Sequence, residues 1–153
     1  GFMSTIKTIE INGENIEEAY SPMSVSVTLK DDLDISRGDM IVKENNVPVI
    51  SQDLDLMICW MDSADLKSRK KVIIKHTTNE CLGMITEILY KLDINTLHSI
   101  KDFEDFKLND IGRIKIRSSK PLFYDSYKKN RHTGSIILID PNTNATIAAG
   151  MII

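Results

Sequence analysis

Cysteine is scarce in this chain, with two residues, Cys59 and Cys81, among 153. Two thiols cannot staple a small fold, and free thiols suit a reducing cytosol. Long apolar runs are missing as well: nothing approaches the roughly 18 consecutive apolar residues that a membrane-crossing helix needs. The N-terminus has neither a basic head nor an apolar signal core. Secretion and membrane anchoring are therefore not expected, and a cytoplasmic location is. Glycine is sparse and scattered, standing singly at 1, 13, 38, 83, 112, 134 and 150. A phosphate-binding loop needs clustered glycines so that backbone N–H groups can converge on phosphate oxygens. Nucleotide hydrolysis by these residues is thus not expected.

Metal and catalytic signatures are also wanting. Cys59, His76, Cys81 and His98 are the obvious zinc ligands by type, but none stands in a close pair such as C-x₂-C. Cys59 beside Trp60, and Cys81 at the head of an apolar stretch, read as buried inert thiols. The acidic groups Asp31-Asp32, Asp53/Asp55 and Asp102/Glu104-Asp105 read as turn or solvent-facing strand residues rather than a catalytic pair. No catalytic, cofactor-binding or metal-binding residue is assigned. The first residue is Gly1 rather than Met, which points to a piece of a longer chain.

What the chain does contain is ordinary globular composition, 42% hydrophobic and 27% charged, with a net charge of −3. That charge is unevenly spread: residues 1–49 carry −5, residues 50–111 carry −3 and residues 112–153 carry +5. Nearly all of the C-terminal excess lies between Arg113 and Arg131, where Asp125 is the only acid. Such a stretch is either a solvated sheet face or a surface for phosphates or an acidic partner.

Most of the sequence alternates with period two. Val25, Val27 and Leu29 interleave with Ser24, Ser26 and Thr28; Leu54, Leu56, Ile58 and Trp60 interleave with polar positions; Ile114 and Ile116 interleave with Arg113, Lys115 and Arg117. Each reads as a strand with one face on a core. The pattern predicts strands near 5–11, 23–30, 39–43, 52–61, 70–76, 81–93, 111–118, 134–140 and 145–152. Asn12-Gly13, Arg37-Gly38-Asp39, Asn45-Asn46 and Pro141-Asn142-Thr143-Asn144 punctuate them. Helical signal is confined to Glu14–Tyr20 and to Thr96–Phe106, where Ile100, Phe103 and Phe106 recur every third residue. The latter segment reads equally as a loop whose aromatics fold onto a barrel end.

The expected fold is all-β with little helix, an antiparallel barrel or sandwich, with a linker at 45–49 that leaves residues 1–44 as an incomplete domain or an appendage to residues 50–153. The linker rests on polar residues followed by Val47-Pro48, since proline holds its predecessor extended. Three strands before that point cannot close a barrel, and their open edges invite self-association.

The segment Phe123–Gly134 differs in kind, because it gathers aromatics, Lys128, Lys129, Asn130, Arg131, His132 and Thr133 into one connection between strands. Aromatics beside cations can stack a base and pair a phosphate. Alternatively the segment is a hydrogen-bonded barrel corner, with Arg131 bonding carbonyls or acids and Gly134 permitting a tight entry into the last hairpin. Three aromatics in a loop, with no aromatic strand face, give nucleic-acid binding little footing.

Several motifs in register resemble one family. Leu33-Asp34-Ile35-Ser36-Arg37-Gly38-Asp39 resembles the element that ends the second domain of the GTPase-type large subunit of bacterial sulfate adenylyltransferase. Leu92–Leu97, Leu108–Ile114, Asn130–Ser135 and Ala148–Ile152 resemble stretches of its third domain, so the similarity runs from about Ile6 to Ile153.

That family belongs to the translation-factor GTPases, similar in layout to elongation factor Tu, with a nucleotide-binding domain followed by two β-barrels. The resemblance implies that residues 5–44 are the second half of the second barrel and that residues 50–153 are the third. It also implies that GTP and Mg are held by a domain upstream of this chain. In the family, GTP hydrolysis on the large subunit drives formation of adenosine 5′-phosphosulfate from ATP and sulfate on the small subunit. The partners implied are the chain's own GTPase domain and that small subunit, with no nucleic acid and no membrane. Lys128, Lys129, Asn130, Arg131 and Thr133 are the candidate contact residues. The alternative is an RNA- or protein-binding barrel of a related translation-type GTPase, whose RNA affinity would fall steeply with salt.

Overall fold

A computed structural model describes all 153 residues, and ten strands account for its regular structure. The chain divides into two units, Gly1–Ser36 and Arg37–Ile153. The first holds a three-stranded antiparallel sheet in the order β2-β1-β3, from β1 (Ile6–Ile11), β2 (Glu14–Ile16) and β3 (Ser26–Leu29). Asn12 and Gly13 turn the β1–β2 hairpin with φ of 50° and 86°, the positive pair that a two-residue hairpin turn demands. Alternation makes Val27 and Leu29 half-buried, yet no side chain of this unit is fully buried. Three strands cannot enclose a core of their own, and β2 and β3 each keep one edge without a strand partner.

The second unit closes on itself. The strands β4 (Val49–Trp60), β5 (Lys71–His76), β6 (Asn79–Leu92), β8 (Ile111–Tyr124), β9 (Ser135–Ile139) and β10 (Thr146–Ile152) pair in the order β5-β9-β10-β4-β8-β6. The β5–β6 hairpin completes the ring, with Lys71–His76 opposite Met84–Asn79. A short β7 (Ser99–Ile100) adds to β6. Every strand pair is antiparallel, and bulges at 51/53, 85/87, 88/90 and 146/148 supply the bending that closure requires. Leu54, Leu56, Ile58 and Trp60 meet Ile114 and Ile116 inside, all within 2% of complete burial.

Several sequence-based expectations meet their outcome in this fold. Glu14–Tyr20 is not helical but contributes β2, and of the two readings of Thr96–Phe106 the loop is the one that forms, with β7 and turns. The spacing of Ile100, Phe103 and Phe106 arises because the loop folds back, placing Phe106 fully in the core and Phe103 against it with an edge-to-face ring contact. Gly112 makes room for this, since a Cβ there would meet the Phe106 ring at 2.5 Å. The strand expected at 39–43 does not form. The two compact units divide at Ser36/Arg37, and Arg37 and Gly38 are tied to the barrel: Arg37 Nε donates to the Thr78 carbonyl and Asn79 Nδ2 to the Gly38 carbonyl. The two thiols are half-buried rather than buried, with Cys81 packed against the core and its pKa raised by desolvation.

Phe106→Ala is expected to cost about 3–5 kcal/mol, the usual range for emptying a buried aromatic site. Urea unfolding followed through Trp60, the single tryptophan, measures it. A loss below about 1 kcal/mol would show that the loop is not part of the core.

Candidate functional site

The β8–β9 connection, residues 125–134, lies at the barrel end where β8 finishes and β9 begins. Its backbone is strapped to the barrel: Tyr127 N donates to the Ile152 carbonyl and Ile152 N to the Gly134 carbonyl, both at 2.8 Å. A helical-type turn follows, with Lys129 N and Asn130 N donating to the Ser126 carbonyl. Gly134 N then donates to the Asn130 carbonyl at 2.8 Å. The turn packs so tightly over Gly134 that a Cβ would collide with the Tyr127 backbone and lie 2.8 Å from the Asn130 carbonyl.

Asp125 organises the side chains. One carboxylate oxygen accepts from Lys129 Nζ at 2.7 Å, the other from Thr133 Oγ1 at 2.9 Å. The Lys129 bond first, and the Thr133 bond after it, hold the Asp125 carboxyl below the ordinary carboxylate value. Asn130 Oδ1 accepts from His132 N at 3.0 Å, and Ser135 Oγ donates to the Arg131 carbonyl. From inside the barrel, His76 reaches the Thr133 carbonyl through Nε2 at 2.7 Å. A carbonyl only accepts, so Nε2 donates in this bond, and Nδ1 is buried without a partner.

The structure thus places all five candidates in one turn, and three of them, Lys129, Asn130 and Thr133, hold it through side-chain hydrogen bonds. Thr133 and Lys129 hold the turn through Asp125, and Asn130 caps it. Arg131 is exposed, and its guanidinium sits 5.9 Å from the Tyr127 ring centroid, without a carboxylate or carbonyl partner. The barrel-corner role that would have Arg131 bond acids or carbonyls is therefore taken by Asp125 instead. Lys128 is exposed and takes part in no ion pair. What the turn can do chemically is present Lys128 and Arg131 from a rigid backbone. Sequence reasoning missed His76 and Asp125 as anchors. The one available signal was His76 standing where the alternation Val72, Ile74, His76 calls for an inward residue.

Gly134→Ala is expected to destabilise the barrel by about 1–3 kcal/mol through this overpacking, measured by denaturant unfolding. The depressed Asp125 carboxyl contributes stability that is complete above its free-state value of 3.8. That contribution is lost as pH falls through the lower folded value. Amide exchange in residues 126–134 should therefore accelerate at acid pH, and Asp125→Asn should abolish this pH dependence.

Comparison with known proteins places this chain in a family. A family model described as GTP-eEF1A C-terminal domain-like matches residues 53–153. The bifunctional enzyme CysN/CysC of Mycobacterium tuberculosis is 47% identical over 152 residues, 97% of this chain and 25% of that protein. Sulfate adenylyltransferase subunit 1 of Bacteroides fragilis is 42% identical over 154 residues, 100% of this chain and 32% of that protein. The chain spans about a quarter to a third of the length of these relatives. Among solved structures, Sup35 complexed with GDP matches with a TM-score of 0.84 at 16% identity, covering 98% of this chain and 37% of that one, a likeness of fold alone. The family model covers about two thirds of the sequence, and the chain belongs to the GTP-eEF1A C-terminal domain-like family.

Proposed function

We propose that this chain is the C-terminal β-barrel part of sulfate adenylyltransferase subunit 1, the GTPase subunit that couples GTP hydrolysis to formation of adenosine 5′-phosphosulfate from ATP and sulfate. The observation that supports this reading is the identity of 40% and more to proteins of that name, extending over the whole chain and so beyond the 53–153 match.

This reading assigns GTP and Mg to no residue of this chain, whose glycines stand singly rather than in a phosphate-binding loop. In this reading nucleotide and metal are held by an upstream domain, and no catalytic step is derived through them. What these residues contribute is contact with that GTPase domain and with the small catalytic subunit. The 125–134 turn suits such a role, because its backbone is locked while Lys128 and Arg131 are exposed and pair with no carboxylate. Cations held this way steer an acidic partner and gain from pairing without a large ordering cost. Self-association through the open edges of β2 and β3 belongs to the same reading as a property of the isolated chain.

The purified chain is expected to show no GTPase and no sulfate adenylyltransferase turnover; robust turnover would overturn the proposal. In the full-length subunit, Arg131→Ala is expected to leave circular dichroism and melting unchanged while weakening assembly or GTP-coupled activity. Unfolding of the barrel by this substitution would instead make Arg131 a structural residue.

A further inference from the structure

Across β4, β8 and β6 the outer face of the barrel is a ladder of paired charges. Arg113 binds Asp55 through two nitrogens at 2.8 and 2.6 Å, Lys115 meets Glu87 at 2.9 Å, and Arg117 meets Asp53 at 3.0 Å. These cations are balanced where they stand. A cleft of about 350 Å³ beside the β5–β6 hairpin is different; it is lined by Arg37, Lys75, Thr78, Asn79, Glu80 and Lys120. Its three cations come from distant points of the chain, the segment before β4, the end of β5 and the later part of β8. All three are exposed and none forms an ion pair. Glu80 is the only acid in the lining, and it stands opposite Lys75 across the hairpin, offsetting that charge. Asp39 follows Arg37 by two residues but does not line the cleft. Arg37 and Lys120 are therefore left with no counter-charge in the lining.

The cations are held together by the backbone around them rather than by their own charges. Gly38 has φ of 104°, and a Cβ there would lie 2.5 Å from Asn79 Oδ1, so the chain passes the hairpin at a distance that only glycine allows. Asn79, only 8% exposed, donates from Nδ2 to the Gly38 carbonyl at 2.7 Å and fixes Arg37 at the barrel rim. Of the Arg37 guanidinium nitrogens only Nε is bonded, to the Thr78 carbonyl at 3.4 Å. That leaves the planar Nη pair, whose fork matches the oxygens of a phosphate. Burial raises the Cys81 thiol and the Lys120 charge opposes that rise, which sets Lys120 beside the start of β6. Like charges gathered in a cleft repel one another, and the same focused field draws a small anion in.

We infer that this cleft binds a small tetrahedral oxyanion of the phosphate type, held by charge-assisted hydrogen bonds from Arg37 and Lys120. Lys75, shared with Glu80, closes the third side. The chemistry is common to inorganic phosphate, to sulfate and to the phosphoryl groups of a larger molecule, and the probes below separate these sources. The site is distinct from the 125–134 turn and does not depend on the function proposed above.

The test is calorimetric titration of the full chain with sodium phosphate, sodium sulfate and sodium pyrophosphate in chloride buffer at constant ionic strength. Saturable binding at a single site, weakened about tenfold by Arg37→Ala and by Lys120→Ala, supports the inference, since a hydrogen bond to a charged group is worth about that factor. Lys101→Ala, exposed beyond β7 at the far end of β6, should bind like wild type. Pyrophosphate binding about tenfold tighter than phosphate would uphold the site and assign it to the phosphoryl groups of a larger molecule; equal binding would uphold it for a single oxyanion. Failure of all three probes to saturate below about 10 mM overturns the inference, as does binding that both variants leave unchanged. Amide chemical shifts of the wild-type chain decide independently of any variant's folding: movement on phosphate addition centred on residues 37–38, 78–80 and 120 supports the site, and movement elsewhere or none overturns it. A glutamate-rich peptide that binds more tightly than any of the oxyanions, and loses affinity with the same two variants, would assign the cleft to an acidic protein segment and overturn the small ligand.

Discussion

Everything in the larger unit depends on one pairing, the closure of β5 against β6 while β5 also pairs with β9. Six residue pairs run from Lys71/Met84 to His76/Asn79. They fix which side chains face inward all round the ring. Because the side-chain period is two, a slip of one residue would turn Val72, Ile74 and His76 to solvent and drive Ile73 inside. Closure also removes the free sheet edges that the three-stranded unit retains, so the barrel has a sealed core where the small sheet has none.

Once the ring is closed, its ends must be covered by connections, and the two ends are treated differently. At one, an aromatic plug is used: Phe106 enters over Gly112, and the Trp60 backbone bonds to Asn109 and Asp110. At the other, polar chemistry is used. His76 projects up from β5 to the Thr133 carbonyl, and Asp125 gathers Lys129 and Thr133. The polar cap is what leaves cations on display, because a turn held by its backbone and by Asp125 has no need of Arg131 or Lys128 for its own structure. The outer wall follows from the same alternation, with charges neutralised in pairs along β4, β8 and β6 and apolar side chains left uncovered along β5, β9 and β10.

The strands were legible in the sequence because alternation is a local signal, and all but the segment at 39–43 formed close to where it placed them. That segment failed because Gly38, at φ 104°, lies so close to Asn79 that the chain is bonded into a turn instead of a sheet. Thr96–Phe106 read equally as helix or loop, because aromatics three apart imitate a helical face; the loop forms, and it returns its aromatics to the core. The candidate turn was conspicuous by its mixture of residue types, and Asp125 stood out as the one acid in a basic stretch. Its function as the turn's anchor was not visible, since whether it would pair with Lys129, Arg131 or a strand cation depends on the backbone path.

By itself the sequence determined that the chain is all-β, that Trp60, Ile58, Ile114 and their alternating neighbours point inward, and that no glycine-rich phosphate loop is present. Each of these is a property of neighbours along the chain. Only the tertiary structure decided that β5 closes the ring, that His76 reaches a carbonyl 57 residues away, and that Leu82, Ile73 and Ile139 line up across three strands on the outer face. Register between distant strands is set by which faces can be buried together, and that is settled only when all six strands meet around the same core.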